Sequence, residues 1–309
     1  MTEASHHIAD AGRNNWVERF LPLGLQPYAQ LMRLDRPIGW WLLLLPCWWG
    51  LFLAQISRGG GVPNPWFAFL FFLGAIIMRG AGCTLNDIID RKFDALVART
   101  RSRPIPSGRV SVKRAFVFLA AQSLLGLVIL LQFNPYTIML GVASLLIVAI
   151  YPFMKQITHW PQLVLGFAFN WGALMGWSAV QGSLSWPPTA IYAGGIFWTL
   201  AYDTIYAHQD GGDDVLIGVK STALHFGEST KGWLIGFFVA ALLSIDMALW
   251  LAGASFIAHM GVALAALHAA WQIKRFETNN SALCLHLFKS NRMFGLIIAG
   301  FLFLDCLIS

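Results

Sequence analysis

Long, uninterrupted runs of apolar residues dominate the chain. Each run approaches the roughly 20 residues that an α-helix needs to cross a bilayer. None shows the alternation typical of barrel strands, and backbone groups in hydrocarbon must be satisfied within the protein. The pattern therefore predicts an all-α fold, a polytopic membrane helical bundle of about nine transmembrane helices. The runs lie near 38–57, 65–85, 115–133, 136–152, 161–181, 187–205, 232–251, 255–273 and 293–309.

The segment before the first run differs from the rest of the chain. Residues 1–27 are predicted to form a cytoplasmic or interfacial N-terminal segment, and residues 28–309 a single transmembrane domain. Apolar and polar positions alternate within 16–35, which suits a short helix at the membrane surface, while a partly disordered lead-in is the alternative. Nothing in the first 24 residues resembles a cleavable signal peptide, so we expect the first run to remain in the mature protein.

Composition and charge agree with a membrane protein and predict its orientation. Hydrophobic residues make up 57% of the 309 positions and charged residues 12%, with a mean hydropathy of +0.61. When successive loops are assigned to alternate sides, Arg58 is the single exception among 21 Lys and Arg residues. Cytoplasmic loops retain such residues, so the N-terminus is predicted to be cytoplasmic. The net charge of +6 then reflects topology and lipid headgroups rather than nucleic acid.

Two short segments concentrate the acidic residues. Four predicted crossings separate them, so both are expected on the cytoplasmic side. Their spacings, i, i+3, i+7 and i, i+7, i+11, place the carboxylates of each segment on one helix face. The segments hold seven of the fifteen carboxylates, which are Asp87, Asp90 and Asp94 after the second run, Asp203 at the end of the sixth run, and Asp210, Asp213 and Asp214 after it.

Aligned carboxylates repel each other unless a cation lies between them. Mg²⁺ prefers hard oxygen ligands and usually completes its coordination shell with substrate phosphate oxygens. Two such stripes facing each other therefore predict Mg²⁺ ions with a diphosphate between them. The alternative is that these are ordinary solvated loop carboxylates and helix caps.

Basic residues near the first stripe support an anionic ligand. They lie in a segment that Pro104, Pro106 and Gly108 prevent from forming one long helix, although part of this charge serves the positive-inside preference. Asn170 is polar and midway through the fifth run, where it either packs between helices or contacts substrate. The basic candidates are Arg91, Lys92, Arg101 and Arg103, with Arg36, Arg79 and Lys155 on the same predicted side.

Several stretches carry a resemblance to a known family. RGAGCTLNDIIDRKFD at 79–94, followed by RSRPIPSG at 101–108, resembles the UbiA-type intramembrane aromatic prenyltransferases, and within that family the members that act on 4-hydroxybenzoate. LMRLDRPIG at 31–39, YPFMK at 151–155 and AYDTIYA at 201–207 carry the same resemblance, which runs from about residue 28 to the C-terminus. The family's architecture is nine helices with two aspartate motifs on the cytoplasmic side.

The resemblance implies an enzyme, its substrates and its cofactor. It implies Mg²⁺-dependent transfer of a polyprenyl group from polyprenyl diphosphate to the ring carbon ortho to the hydroxyl of 4-hydroxybenzoate. The products would be 3-polyprenyl-4-hydroxybenzoate and diphosphate, in a membrane step of ubiquinone biosynthesis. The implied location is a bacterial inner membrane, or a mitochondrial inner membrane in a eukaryote. Membrane lipid is an expected partner, nucleic acid is not, and no protein partner is indicated.

The resemblance also implies roles for individual residues. Asp94 and Asp203 either bind metal or orient a basic residue or the phenol of the acceptor. Relatives commonly have a basic pair where this chain reads Lys155-Gln156, which leaves Arg79 or Arg36 as the second cation. The catalytic candidates are Asp87, Asp90, Asp94, Asp203, Asp210 and Asp214, and those expected to bind metal are Asp87, Asp90, Asp210 and Asp214. The substrate-binding candidates are Asn86, Arg36, Arg79, Arg91, Lys92, Arg101, Arg103, Tyr151, Lys155, Asn170 and Tyr206.

Two other functions remain open from sequence. A prenyltransferase for another acceptor, such as a naphthoate, a homogentisate or a haem, would keep the aspartate motifs and change the pocket. A secondary transporter usually carries its acidic residues near the bilayer midplane on broken helices, whereas these lie at helix ends beside a basic loop. Asp246 and Asp305 match neither acidic motif and are expected to reach water near the outer leaflet.

Overall fold

The structure, a computed structural model, describes residues 15–97, 100–209 and 220–308. Within these ranges the chain is helical and contains no strand. A single 3₁₀ turn among the described residues, Gly227–Ser229, links the helices Thr222–Phe226 and Thr230–Ala252. The helices are α1 (Trp16–Phe20), α2 (Gln26–Leu31), α3 (Ile38–Ile56), α4 (Pro65–Asp94), α5 (Val112–Leu130), α6 (Pro135–Ile157), α7 (Pro161–Gln181), α8 (Trp186–Ala207), α9 (Thr222–Phe226), α10 (Thr230–Ala252), α11 (Phe256–Arg275) and α12 (Ser281–Ile308).

The long helices confirm the prediction of an all-α, membrane-spanning protein. Eight helical segments of the described chain are long and apolar enough to cross a membrane, namely α3 to α7, the continuous segment Thr222–Ala252, α11 and α12. The remaining predicted run, 187–205, is covered by α8, a helix of 22 residues. The chain is therefore an integral membrane protein, and its described residues form about nine long helices.

Two helices extend well beyond their apolar runs. The 30 residues of α4 correspond to a length of about 45 Å, against roughly 30 Å for the hydrocarbon core. α12 likewise begins at Ser281, before the apolar run that starts near 293. An apolar run marks only the part of a helix that lies in hydrocarbon, whereas backbone hydrogen bonding continues into the polar region. For α4, this extension carries the first acidic stripe.

The N-terminal lead-in forms short helices, as the alternation of residues 16–35 predicts. The Asn15 side chain accepts a hydrogen bond from the Glu18 backbone N–H, which caps α1. The Trp16 indole donates to the Leu34 carbonyl at 2.8 Å. Val17 is fully buried, so this part of the lead-in is packed rather than disordered.

The described residues group into two compact units. The first consists of the residues up to Trp41 together with Leu73–Leu131. Its apolar core comprises Leu31, Ile88, Ile105, Val110 and Ala115.

The second unit consists of Leu42–Phe72 and the described residues from Gln132 onward. Within it, α8 packs against α7, α10 and α12, while α6 contacts α7 and α11 contacts both α10 and α12. Small residues let α3 and α7 approach closely, as is common between transmembrane helices. A Cβ atom added to Gly50 would lie 2.0 Å from the Ala173 carbonyl oxygen, and one added to Gly176 would lie 2.1 Å from the Cys47 carbonyl oxygen.

A buried polar network joins three helices of the second unit. The Trp198 indole on α8 donates to Asn291 Oδ1 on α12 at 2.9 Å. Asn291 Nδ2 donates in turn to Gln272 Oε1 on α11 at 2.9 Å. Both amides are fully buried, so their mutual hydrogen bonds avoid the cost of unsatisfied polar groups in an apolar interior.

The two acidic residues outside the motifs have different environments. Asp305 is fully buried and accepts hydrogen bonds from the backbone N–H and the hydroxyl of Ser255, the residue that precedes α11. The expectation that Asp305 reaches water is therefore wrong, because the start of α11 supplies the polar partners that water would have supplied. Asp246 is about half exposed, and its Oδ1 lies 2.6 Å from His259 Nδ1.

Candidate functional site

The first acidic stripe forms the end of α4. Because the helix continues past its apolar run, Asp87, Asp90 and Asp94 lie on its last turns in the spacing that shares one face. Their relative exposures are only 1%, 9% and 8%. Three buried carboxylates on one face are unfavourable unless cations balance them. The structure supplies two of these cations from the same unit.

Arg33 contributes the first cation. Its Nη2 lies 2.6 Å from Asp87 Oδ1 and its Nη1 lies 3.0 Å from Asp87 Oδ2, which is a two-pronged charge-assisted pair. Arg33 has a φ of 57° and is the one non-glycine residue with positive φ in the described chain. Arg36 was predicted from this stretch, whereas Arg33 was not. The sequence does not reveal that Arg33 has a left-handed backbone conformation, which directs its side chain to Asp87, 54 residues further along the chain.

Arg103 contributes the second cation. Its Nη1 lies 3.0 Å from Asp94 Oδ2 and 3.5 Å from Asp87 Oδ1. The chain after α4 folds back to make these contacts, and the Thr100 hydroxyl donates to the Asp94 carbonyl at 2.9 Å. The structure therefore places Arg103 beside the acidic stripe, as its position in the basic loop predicts.

The other basic candidates, two on the last turn of α4 and one in the loop after it, lie toward solvent. Arg91, Lys92 and Arg101 are exposed, and Arg91 donates to the Ile88 carbonyl at 2.7 Å. Arg109, which sequence reasoning did not select, is more enclosed and donates to Gln30 Oε1 at 2.8 Å. Burial lowers the pKa of the Arg109 guanidinium, and the negative charge of Glu18 opposes this shift.

The candidates upstream of the stripe are half-buried. Arg79 lies on α4 against Gly39, where an added Cβ would sit 2.6 Å from Arg79 Nε. Gly39 therefore leaves room for the Arg79 side chain. Arg36 pairs with its neighbour Asp35, with Nη2 at 3.0 Å from Asp35 Oδ2. Asn86 is half-buried beside Asp87 on α4.

The second acidic stripe belongs to the second unit. Asp203 is half-buried on α8, and the neighbouring Tyr206 ring lies 4.6 Å from the Phe288 ring. Asp210, Asp213 and Asp214 lie outside the described residues. The described chain on either side of them is joined by the hydroxyls of Thr204 and Thr222, which are 2.6 Å apart.

The remaining candidates lie on α6 and α7. Tyr151 is half-buried on α6, and Lys155 belongs to the same helix although its side chain lies outside the described part. Asn170 on α7 is 1% exposed, and its Nδ2 donates to Thr199 Oγ1 on α8 at 2.8 Å. Asn170 therefore joins two helices, as its packing interpretation predicts, and a substrate contact stays a prediction.

The acidic stripe offers oxygen donors but not a complete metal site. Within residues 15–97, 100–209 and 220–308, no group of three or more His, Cys, Asp or Glu side chains is arranged to hold a metal ion. Buried carboxylates are nevertheless the donor chemistry that Mg²⁺ prefers, and this ion commonly takes only one or two protein carboxylates and fills its shell with substrate phosphates and water. The stripe thus fits a partial set of ligands for a divalent ion.

Comparison with known proteins assigns the chain to a family. Residues 43–298 match the sequence profile of the UbiA prenyltransferase family. The chain belongs to the UbiA prenyltransferase family. The resemblance seen in the aspartate motifs is thereby confirmed, and the secondary transporter is set aside.

Individual UbiA relatives match most of the chain. The chain is 53% identical over 279 residues to the mitochondrial 4-hydroxybenzoate polyprenyltransferase of Bos taurus, covering 90% of this chain and 74% of that protein. The protein of the same name from Homo sapiens is 50% identical over the same shares of the two chains. That from Arabidopsis thaliana is 46% identical and covers 92% of this chain and 70% of its own length.

Solved structures confirm the UbiA fold. The apo structure of a UbiA homolog from Aeropyrum pernix K1 superposes with a TM-score of 0.72 at 24% identity, covering 85% of this chain and 97% of that one. A UbiA homolog from Archaeoglobus fulgidus bound to GPP and Mg²⁺ gives a TM-score of 0.66 at 20% identity. The match covers 92% of this chain and 100% of that one.

Proposed function

We propose that this chain transfers a polyprenyl group from polyprenyl diphosphate to the ring carbon ortho to the hydroxyl of 4-hydroxybenzoate. The products are 3-polyprenyl-4-hydroxybenzoate and diphosphate, in a membrane step of ubiquinone biosynthesis. The observation that carries this proposal is the 53% identity over 90% of the chain to an enzyme named for this reaction. The buried acidic stripe with its arginines supports it, because the reaction needs a site for a diphosphate and its counter-cations.

Mg²⁺ is the proposed cofactor. The carboxylates proposed to hold it are Asp90, Asp210 and Asp214, whereas the fourth ligand predicted from sequence, Asp87, is already paired with Arg33. Support comes from the oxygen donors of the stripe and from a UbiA homolog of the same fold that is bound to GPP and Mg²⁺. A bound divalent ion would supply electrophilic stabilisation of the diphosphate as its C–O bond breaks.

The protein's own groups bind the diphosphate and keep water from the reacting carbon. Arg103 presents a guanidinium beside Asp94, in position to donate to phosphate oxygens. The C–O bond of the allylic diphosphate breaks, the ring carbon forms the new C–C bond, and the ring proton is then lost to restore aromaticity. An allylic cation reacts readily with water, so the near-complete burial of this stripe favours attack by the ring.

The location and orientation follow from the same proposal. The chain is proposed to lie in a bacterial or a mitochondrial inner membrane, and its Bos taurus and Homo sapiens relatives are named as mitochondrial proteins. The N-terminus and the acidic ends of α4 and α8 are proposed to face the cytoplasm or its mitochondrial equivalent. We retain residues 28–309 as one proposed transmembrane domain, preceded by the interfacial segment 1–27.

The proposal is tested with membranes that contain the protein. They are incubated with a polyprenyl diphosphate, 4-hydroxybenzoate and Mg²⁺, with and without EDTA, and the prenylated product is measured. We expect product only when metal is present, and none from membranes that lack the protein. Diphosphate release and product with a naphthoate or homogentisate, but not with 4-hydroxybenzoate, would replace the proposed acceptor.

Arg103→Gln is expected to raise the KM for polyprenyl diphosphate by about tenfold or more, because it removes one charge-assisted hydrogen bond to the leaving group. The KM for 4-hydroxybenzoate should change much less. Initial rates over a range of each substrate provide the measurement. Lys113→Gln, at an exposed position of the first turn of α5, is the matched control, and an equal rise in both variants would contradict a direct role for Arg103.

A further inference from the structure

We infer that Asp87 and Arg33 form a fixed internal ion pair that positions Arg103 against Asp94, and that Asp87 is not a metal ligand. This inference rests on the proposed function and revises one assignment made from sequence, where Asp87 is grouped with the metal-binding aspartates. Asp87 and Arg33 are in this view positioning residues, which act on the diphosphate through Arg103.

Arginine side chains surround the carboxylate of Asp87. Both of its oxygens are engaged by the Arg33 guanidinium, at 2.6 Å and 3.0 Å. Arg103 Nη1 approaches Oδ1 as well, at 3.5 Å. The Asp87 side chain is 1% exposed, so water does not provide alternative partners. A metal ion at Asp87 would have to displace a two-pronged guanidinium pair from a buried position, where such pairs are strongest.

The backbone of Arg33 fixes the direction of its side chain. A φ of 57° is uncommon for a residue with a long side chain, and such conformations persist only where the surroundings hold them. Arg33 Nη1 also donates to the carbonyl of Gln30 at 3.0 Å, and the adjacent Leu31 is fully buried. The guanidinium is therefore held in its orientation by the turn after α2 and does not depend on Asp87 alone for its position.

Arg103 lies between two carboxylates of the stripe. Its Nη1 is shared between Asp94 at 3.0 Å and Asp87 at 3.5 Å. Arg33 balances the charge of Asp87, so Asp87 attracts Arg103 less strongly than an unpaired carboxylate would. The contact is nevertheless close enough to orient the Arg103 guanidinium. Removing Asp87 would take away one of the contacts that hold Arg103 beside Asp94, so the Arg103 guanidinium would be less closely fixed. The expected consequence is weaker binding of the diphosphate with unchanged affinity for the metal.

The decisive experiment measures metal binding separately from catalysis. The purified, detergent-solubilised full-length protein is titrated with Mn²⁺ alone, without diphosphate, and the free ion is followed by electron paramagnetic resonance. We expect Asp87→Asn to leave the Mn²⁺ dissociation constant within about twofold of the unsubstituted protein and Asp90→Asn to raise it by about tenfold or more. Equal weakening by the two substitutions would overturn the inference.

Kinetics test the pairing of the two residues. Asp87→Asn and Arg33→Gln should each raise the KM for polyprenyl diphosphate, while the Mg²⁺ concentration that gives half-maximal activity stays the same. The double variant should be no worse than the poorer single variant, because contacting residues that act as one unit give non-additive effects. Effects that multiply in the double variant, or a change in half-maximal Mg²⁺, would contradict the pairing.

Two controls keep the outcomes distinct. If Asp87→Asn alone fails to fold because it leaves Arg33 without its counter-charge, the double variant removes both charges and serves for the Mn²⁺ titration. If the unsubstituted protein binds Mn²⁺ and diphosphate but prenylates no aromatic acceptor, the proposed function fails. The order of Mn²⁺ affinities among the variants still decides the assignment of Asp87 in that case.

Discussion

Asp90→Asn should lower prenyl transfer by about 100-fold or more while the protein remains folded and inserted in the membrane. The substitution keeps the size of the side chain and removes its charge, at a position that is 9% exposed near the end of α4. Loss of a metal-binding carboxylate weakens stabilisation of the negative charge that develops on the leaving diphosphate. Product formation at saturating substrates and several Mg²⁺ concentrations provides the measurement.

The same chemical change elsewhere in the chain provides the control for Asp90. Asp246→Asn alters a carboxylate on α10 that pairs with His259 and belongs to neither acidic motif. We expect it to retain more than half of the activity. Asp210→Ala, in the second motif, is expected to lose activity to a similar extent as Asp90→Asn. If both motif variants kept more than half of the activity, the assignment of these aspartates to metal would be refuted.

Gly176→Ala should destabilise the protein by about 3 kcal/mol or more, which is at or above the usual cost of overpacking. The added Cβ would lie 2.1 Å from the Cys47 carbonyl oxygen and 2.7 Å from the Leu51 nitrogen, both of which are backbone atoms of α3. Backbone atoms cannot rotate away as a flexible side chain can, so α3 and α7 would have to separate. Unfolding in detergent, followed by the loss of helical signal with heat or denaturant, measures the change.

A glycine in an open position is the matched control for Gly176. A Cβ added to Gly236 on α10 meets nothing within 4 Å. Gly236→Ala should therefore be neutral or stabilise the helix by up to about 1 kcal/mol, the difference in helix propensity. Equal stability of the Gly176→Ala and Gly236→Ala variants would show that the approach of α3 to α7 does not depend on glycine.

The candidate site was predictable in part. The three-residue and four-residue intervals of the first stripe place its aspartates on one helix face, and α4 confirms this arrangement by continuing to Asp94. Of the four basic residues selected from the loop at 91–103, Arg103 contacts the stripe whereas the other three are exposed. All four are basic and lie close to the stripe in sequence, so the sequence alone did not distinguish Arg103 from the others. Arg91 and Lys92 lie on the last turn of α4, whereas Arg103 reaches the stripe because the chain after α4 folds back, which local pattern does not encode.

The sequence by itself determined the helical class, the long membrane-crossing segments, the acidic stripe at the end of α4 and the resemblance to the UbiA family. These features depend on hydrophobicity, helical period and short motifs, each of which acts over neighbouring residues. Only the tertiary structure decided that Arg33 pairs with Asp87 across 54 positions, that Asp305 is buried beside Ser255, and that Gly176 meets the backbone of α3. Such contacts depend on the geometry of turns and on the packing of distant helices, which a linear pattern does not specify.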